Sequence, residues 1–143
     1  MSRRIFPTAQ DAEAAFYEAL ERADLEAMMA VWAEDEEIVC VHPGGARLTG
    51  TEQVRESWRQ ILSGGPGARV QVAQQVAIAG MMVAVHSVHE CFTVAGESRP
   101  RPPIVATNVY LRTAAGWRMI VHHASPAPGT AAPAEPETPK ILH

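Results

Sequence analysis

Cysteine is scarce: the 143 residues hold only Cys40 and Cys91, with no motif around either. No export signal accompanies them, so free, buried thiols are expected in preference to a disulfide. No apolar run approaches the ~18 residues of a membrane span, so no membrane partner is expected. Behind Arg3-Arg4 there is no apolar core of a secretory signal, which leaves a cytoplasmic location as the expectation. Basic residues are outnumbered, 12 against 16 acidic, for a net charge of −4. Nucleic-acid binding needs clustered Lys and Arg and is excluded on that ground. No glycine loop suited to phosphates occurs. The six histidines form no His-x-His or His-Glu-x-x-His pattern. His86 and His89, like His122 and His123, would point to opposite faces of a strand, so no metal and no cofactor is expected. There is no internal repeat.

What is present reads as one globular domain with a core. Hydrophobic residues make up 47% and charged residues 20%, ordinary proportions for a globular chain. The domain spans residues 1–126. Residues 127–143 are rich in Pro and Ala, cannot bury a core, and are expected to be a disordered tail.

Helical spacing of Ala12, Ala15, Phe16, Ala19 and Leu20 predicts a helix from about residue 8, with Thr8 as N-cap and Asp11 in its first turn. Ala23-Asp24 breaks it. Asp24 caps a second helix with Leu25, Met28, Met29 and Trp32 on one stripe. Glu36 to Val41 reads as a short strand, turned at His42-Pro43-Gly44-Gly45 into a return strand at Arg47-Leu48-Thr49. Thr49 or Thr51 caps a third helix reaching Leu62, with Val54, Trp58, Ile61 and Leu62 on one face. After the loop at Ser63–Gly67, four strands follow: 69–79, 81–95, 99–113 and 117–125. Pro100, Pro102 and Pro103 suit only the loosened start of the third. The order predicts an α+β fold: a cone-shaped, curved antiparallel sheet with three helices from the N-terminal half packed over a pocket.

Side chains two apart on a strand share a face. Asn108 therefore goes with Tyr110, and His86, Val88, Glu90 and Phe92 go together. Trp117, Met119, Val121 and His123 oppose Arg118, Ile120 and His122. The pattern does not fix which set lines the pocket.

The order of elements, together with Val31-Trp32-Ala33-Glu34-Asp35, His42-Pro43-Gly44-Gly45, Leu48-Thr49-Gly50, Ser57-Trp58, Thr107-Asn108-Val109-Tyr110 and Gly116-Trp117 through Ser125-Pro126, resembles the nuclear transport factor 2-like superfamily, in particular its SnoaL-like members. The resemblance covers roughly residues 8–126. The superfamily includes ketosteroid isomerase, scytalone dehydratase, polyketide cyclases and the kinase II association domain, so the fold does not fix the function. It implies a homodimer formed through the exposed sheet face.

Ketosteroid isomerase-type chemistry uses a carboxylate base and two oxyanion donors, a Tyr and a protonated Asp. By context, the resemblance puts His42 at the base position, Asn108 at the protonated Asp and Phe16 at the Tyr. Tyr17, beside Phe16, points about 100° away around the helix. His42 can act as a general base near neutral pH, or bond only to backbone at its turn. Asn108 can donate to an oxyanion, or merely satisfy its strand. Glu90, a carboxylate inside an apolar strand, is functional or else paired with Arg99, Arg101 or a His. Trp32 and Trp58 are core or pocket wall. With Phe16, Tyr110, His122 and His123 they complete the expected ligand-binding set, suited to a small apolar or aromatic molecule. The expected activity is isomerisation, dehydration or cyclisation. The rival expectation is a non-catalytic dimeric association module.

Overall fold

The computed structural model describes residues 4–99 and 101–128. The expected tail, from residue 129 onward, lies outside the described residues. Helix α1 (Ala9–Arg22) starts where Thr8 accepts a hydrogen bond from Asp11 N and ends at Ala23, whose φ of 55° is left-handed. Asp24 then caps α2 (Leu25–Val31) by accepting from Ala27 N. The break at Ala23-Asp24 thus follows from side-chain capping at one end and a left-handed residue at the other.

Strand β1 is Val39–Val41, shorter than the expected Glu36–Val41. Asp35 accepts a hydrogen bond from Glu37 N at 2.8 Å, which curls the chain into a turn before it can extend. Strand β2 (Arg47–Thr49) leads into α3 (Gly50–Leu62), where Thr49 stands at the N-cap without a side-chain cap bond. Four long strands follow: β3 (Ala68–Ala79), β4 (Val83–Val94), β5 (Ile104–Thr113) and β6 (Gly116–Pro126). Strand β5 begins only after Pro103, since proline removes a ladder donor.

The strands form one six-stranded sheet in the order β2-β1-β6-β5-β4-β3. The sheet is mixed rather than antiparallel throughout, because β1 runs parallel to β6, with Cys40 opposite His122. It is open: β2 and β3 are its edges. At the β5–β6 turn Gly116 has φ 96°, and a Cβ there would sit 2.8 Å from the Phe6 backbone, so the N-terminal segment can lie against this turn only if residue 116 is glycine.

Two register shifts re-aim side chains toward the helices. Between Ala73 and Val76, β3 carries one more residue than β4, and Gln74 there has φ 52°. On β6, Val121 faces Val109 but Met119 faces Tyr110, leaving Ile120 as an extra residue. This bulge breaks the expected alternation. Met119 and His122 are both buried, while Val121 and His123, expected with Met119, are not.

The helices cover the concave face of the sheet. Their stripes, led by Phe16, Met28, Val31 and Val54, meet Val88, Ala106, Met119 and Ala124 in one core. Trp32 is fully buried in the core cluster, and its backbone bridges to Met119.

Candidate active site

Glu13 and Tyr17 are one helical turn apart on α1 and face the sheet together. Opposite them stand His86 and Glu90 from β4, Asn108 and Tyr110 from β5, and His122 from β6. All seven side chains are buried. Buried polar groups are as a rule hydrogen-bonded, and here they bond to one another, with His86 Nε2 left without a partner. Glu13 Oε2 accepts from Asn108 Nδ2 at 3.1 Å, from the Tyr110 hydroxyl at 2.9 Å and from His86 Nδ1 at 3.0 Å. Gln75 Nε2 donates to the other oxygen. The Tyr17 hydroxyl donates to Glu90 Oε2 at 2.6 Å and accepts from Asn108 Nδ2 at 3.0 Å. His122 Nδ1 donates to Asn108 Oδ1 at 2.6 Å.

Asn108 is therefore the hub. Its amide joins Glu13, Tyr17 and His122, and through Tyr17 it reaches Glu90. Every polar atom of that side chain is used within the protein, so Asn108 orients its neighbours rather than holding a donor free for a ligand. Glu90 is different, since Tyr17 is its one side-chain partner among the described residues. Burial, opposed by the Tyr17 hydrogen bond and reinforced by the Glu13 charge, pushes the Glu90 carboxyl up to about 7. Burial also raises the Tyr17 and Tyr110 hydroxyls well above the ordinary tyrosine range.

A second, aromatic layer borders the network. The His122 ring lies 4.9 Å from Phe16, 6.0 Å from Trp58 and 6.5 Å from His42, centroid to centroid. His42 packs edge to face on Trp58 at 4.7 Å. Ser57 Oγ donates to Val54 O, so His42 Nε2, 3.0 Å from that oxygen, carries the hydrogen between them. Burial lowers the pKa of His42. It lowers His122 to about 3, with the charges of His42 and His123 adding to the effect. Cys40, 3.5 Å from His42 Nε2, is a free thiol that burial pushes up to about 12, so it is no ready nucleophile. A recess of about 350 Å³ is lined by Pro43, Phe92, Arg101, Pro102, Pro103, Ile104 and Pro126. Ile104 is the cross-strand partner of Glu90. Among the described residues no three His, Cys, Asp or Glu side chains converge as metal donors.

The SnoaL-like domain family matches residues 10–129 of this sequence, most of the chain. The protein belongs to the SnoaL-like family. A proposed calcium/calmodulin-dependent protein kinase type II association domain from Thiobacillus denitrificans is 43% identical, with 86% of this chain and 98% of that chain covered and a TM-score of 0.78. A proposed dehydratase of the nuclear transport factor 2-like family from Streptomyces avermitilis is 30% identical over 82% of this chain and 92% of that chain, with a TM-score of 0.74. A proposed ketosteroid isomerase from Parabacteroides distasonis shares the fold at 17% identity, covering 89% and 98%, with a TM-score of 0.70. No curated protein sequence matches the chain significantly. The nuclear transport factor 2-like fold read from the motif order is thus the fold of this SnoaL-like chain.

The structure brings Phe16, Trp58, Glu90, Asn108, Tyr110 and His122 into one region and puts His42 at its border. It separates two of the expected residues from them. His123 is exposed, because β6 alternates again after its bulge, and Trp32 lies in the core. On α1 the hydroxyl that enters the network is that of Tyr17, which reaches Glu90 and Asn108, while Phe16 packs edge to face against the Tyr17 ring. A turn of 100° does not remove a long side chain from a face buried as widely as that of α1, where both Phe16 and Tyr17 are covered. Glu90 pairs with Tyr17 and with none of the expected partners; Arg101 instead pairs with Glu97 at 2.8 Å. Glu13, Tyr17, Gln75 and His86 are members that the sequence pattern did not single out. Two signals for them existed: the four-residue spacing of Glu13 and Tyr17, and the shared parity of His86 with Glu90.

Proposed function

We propose that this SnoaL-like protein binds a small, largely apolar molecule at the open end of its cone and moves a proton on it, in an isomerisation, dehydration or cyclisation. The observation that carries this reading is Glu90. A carboxyl titrating near 7 is populated in both forms at neutral pH and can serve as acid or base, and Tyr17 holds it from one side. A buried carboxyl with a strongly perturbed pKa is a candidate for function, and Ile104, the cross-strand partner of Glu90, lines the recess. His42, kept neutral by burial, is a second proton acceptor at the border. In this reading Asn108, Glu13 and His86 are positioning residues. We place the protein in the cytoplasm; among the described residues no helix is long and apolar enough to cross a membrane.

The test combines native mass spectrometry of wild-type protein, small-molecule identification after denaturation, and a turnover assay on the released compound. The expected result is a stoichiometric ligand, converted by wild type and about 100-fold or more slowly by Glu90→Gln, with the variant folded by circular dichroism. His42→Ala is expected to be impaired in the same assay. A Glu90→Gln protein with wild-type turnover overturns the role of Glu90.

A second reading has its own support. The 43% identical protein from Thiobacillus denitrificans is a proposed association domain. On this view the chain is a homodimeric binding module. A stoichiometric protein partner in native lysate, with the cone empty, would favour it.

A further inference from the structure

We propose that His122 Nε2 accepts a hydrogen bond from a hydroxyl group of the ligand, so that the ligand is a flat, uncharged molecule carrying an O–H. This rests on the reading of the cone as a small-molecule site and adds the chemistry of the molecule that enters it.

The constraint starts at Glu13 and passes outward. An amide has two unlike ends, and its orientation is set by the partners it meets. Glu13 Oε2 can only accept, so the Asn108 amino group faces it, at 3.1 Å, and also reaches the Tyr17 oxygen. The Asn108 oxygen then points the other way and lies 2.6 Å from His122 Nδ1. That oxygen can only accept, so Nδ1 carries the hydrogen. A neutral imidazole with its hydrogen on Nδ1 has a bare lone pair on Nε2. His122 stays neutral because it is buried, 3% exposed, with no carboxylate among its side-chain partners. From helix α1, Glu13 thus fixes the tautomer of a histidine on β6 without touching it.

The lone pair has no partner. Among the described residues no hydrogen bond reaches His122 Nε2. Its neighbours are rings: Phe16 has no donor, the His42 Nε2 hydrogen is committed to Ser57, and the Trp58 indole N–H, though unpartnered, makes no hydrogen bond to it. His122 Nε2 is not one of the closed-off polar atoms without a partner, as Trp58 Nε1 is, so it is open to a donor that arrives from outside the protein. An aromatic surround with one bare acceptor, His122 Nε2, and one unpartnered donor, Trp58 Nε1, fits a planar hydroxyl compound, whose O–H donates and whose oxygen accepts. An anion is disfavoured next to Glu90, Glu13 and an acceptor lone pair.

The probes are phenol and toluene, which have similar shapes and differ in the hydroxyl. Protein labelled with ¹⁵N at histidine and tryptophan is followed by NMR. The expected result is that His122 is neutral, with its hydrogen on Nδ1, from pH 5 to 8. Phenol moves the Nε2 resonance and the Trp58 indole signal. Toluene binds about tenfold or more weakly and leaves Nε2 in place. A hydrogen on Nε2, or a charged ring at pH 6, overturns the proposal. Both probes shifting Trp58 equally while Nε2 stays still also overturns it but leaves the apolar site standing. If neither probe perturbs Trp58 or His122, the proposal and the small-molecule reading fall together.

Discussion

Glu13 organises this site without being its reactive group. Four donors, from β3, β4 and β5, converge on its carboxylate. A buried network of this kind is rigid only when every member is satisfied. Replacing Glu13 with Gln puts an amide nitrogen among those donors. The Asn108 amide can then turn over, and His122 with it. The expected outcome for Glu13→Gln is a loss of about 1–3 kcal/mol of stability, read by urea denaturation, together with a mixed His122 tautomer by ¹⁵N NMR. An unchanged single tautomer would show that something else orients Asn108. In the sequence Glu13 follows Ala12 in a helix with exposed acids at Asp11 and Glu18, and a further acid there reads as solvated. Its burial depends on polar groups from three distant strands, which no local pattern announces. Glu90 was legible because it interrupts an apolar strand. Its partner was not, since the choice of Tyr17 over the nearby arginines is made by the path of α1 across the sheet.

At the scale of elements, helices and strands were legible because capping and periodicity are local. Thr8, Asp24 and the proline before β5 act within a few residues of where they stand. The bulges were not legible, and the site depends on them. On β6 the extra residue Ile120 sets Met119 and His122 on the same side. On β3 the shift at Gln74 accompanies the approach of Gln75 to Glu13. A bulge re-aims a side chain at the cost of a local backbone distortion, and at Gln74 the distortion is a left-handed φ of 52°. Glycine tolerates that conformation, whereas a β-branched residue is strongly disfavoured there. Gln74→Gly should therefore match or exceed wild-type stability, by up to about 1 kcal/mol, and Gln74→Val should lose about 1–3 kcal/mol. Chemical denaturation midpoints of the two variants check this. If Val is tolerated as well as Gly, the bulge is not a fixed feature of the fold.

For the molecule as a whole, the buried titratable groups pull stability in opposite directions with pH. His122 is held at about 3 in the folded protein against 6.5 ordinarily. The unfolded chain therefore binds the extra proton first as pH falls below 6.5, and stability drops from there down to about 3. His42, also lowered, acts in the same sense. Glu90 is raised from 4.5 to about 7. Here the folded protein holds its proton longer, so stability is fully present below 4.5 and is lost as pH rises to about 7. At about 1.4 kcal/mol per unit, the Glu90 contribution is on the order of 3 kcal/mol. Between 4.5 and 6.5 the two slopes oppose each other, and wild-type stability should be nearly flat. Glu90→Gln removes the falling limb alone. Its stability relative to wild type should therefore improve steadily between pH 4.5 and 7.5, while its loss below 6.5 becomes steeper than that of wild type. Denaturation midpoints at half-unit intervals of pH measure the difference directly. A constant offset between the two proteins across that range would mean that Glu90 does not titrate there, and would remove the acid–base group on which the proposed reaction depends.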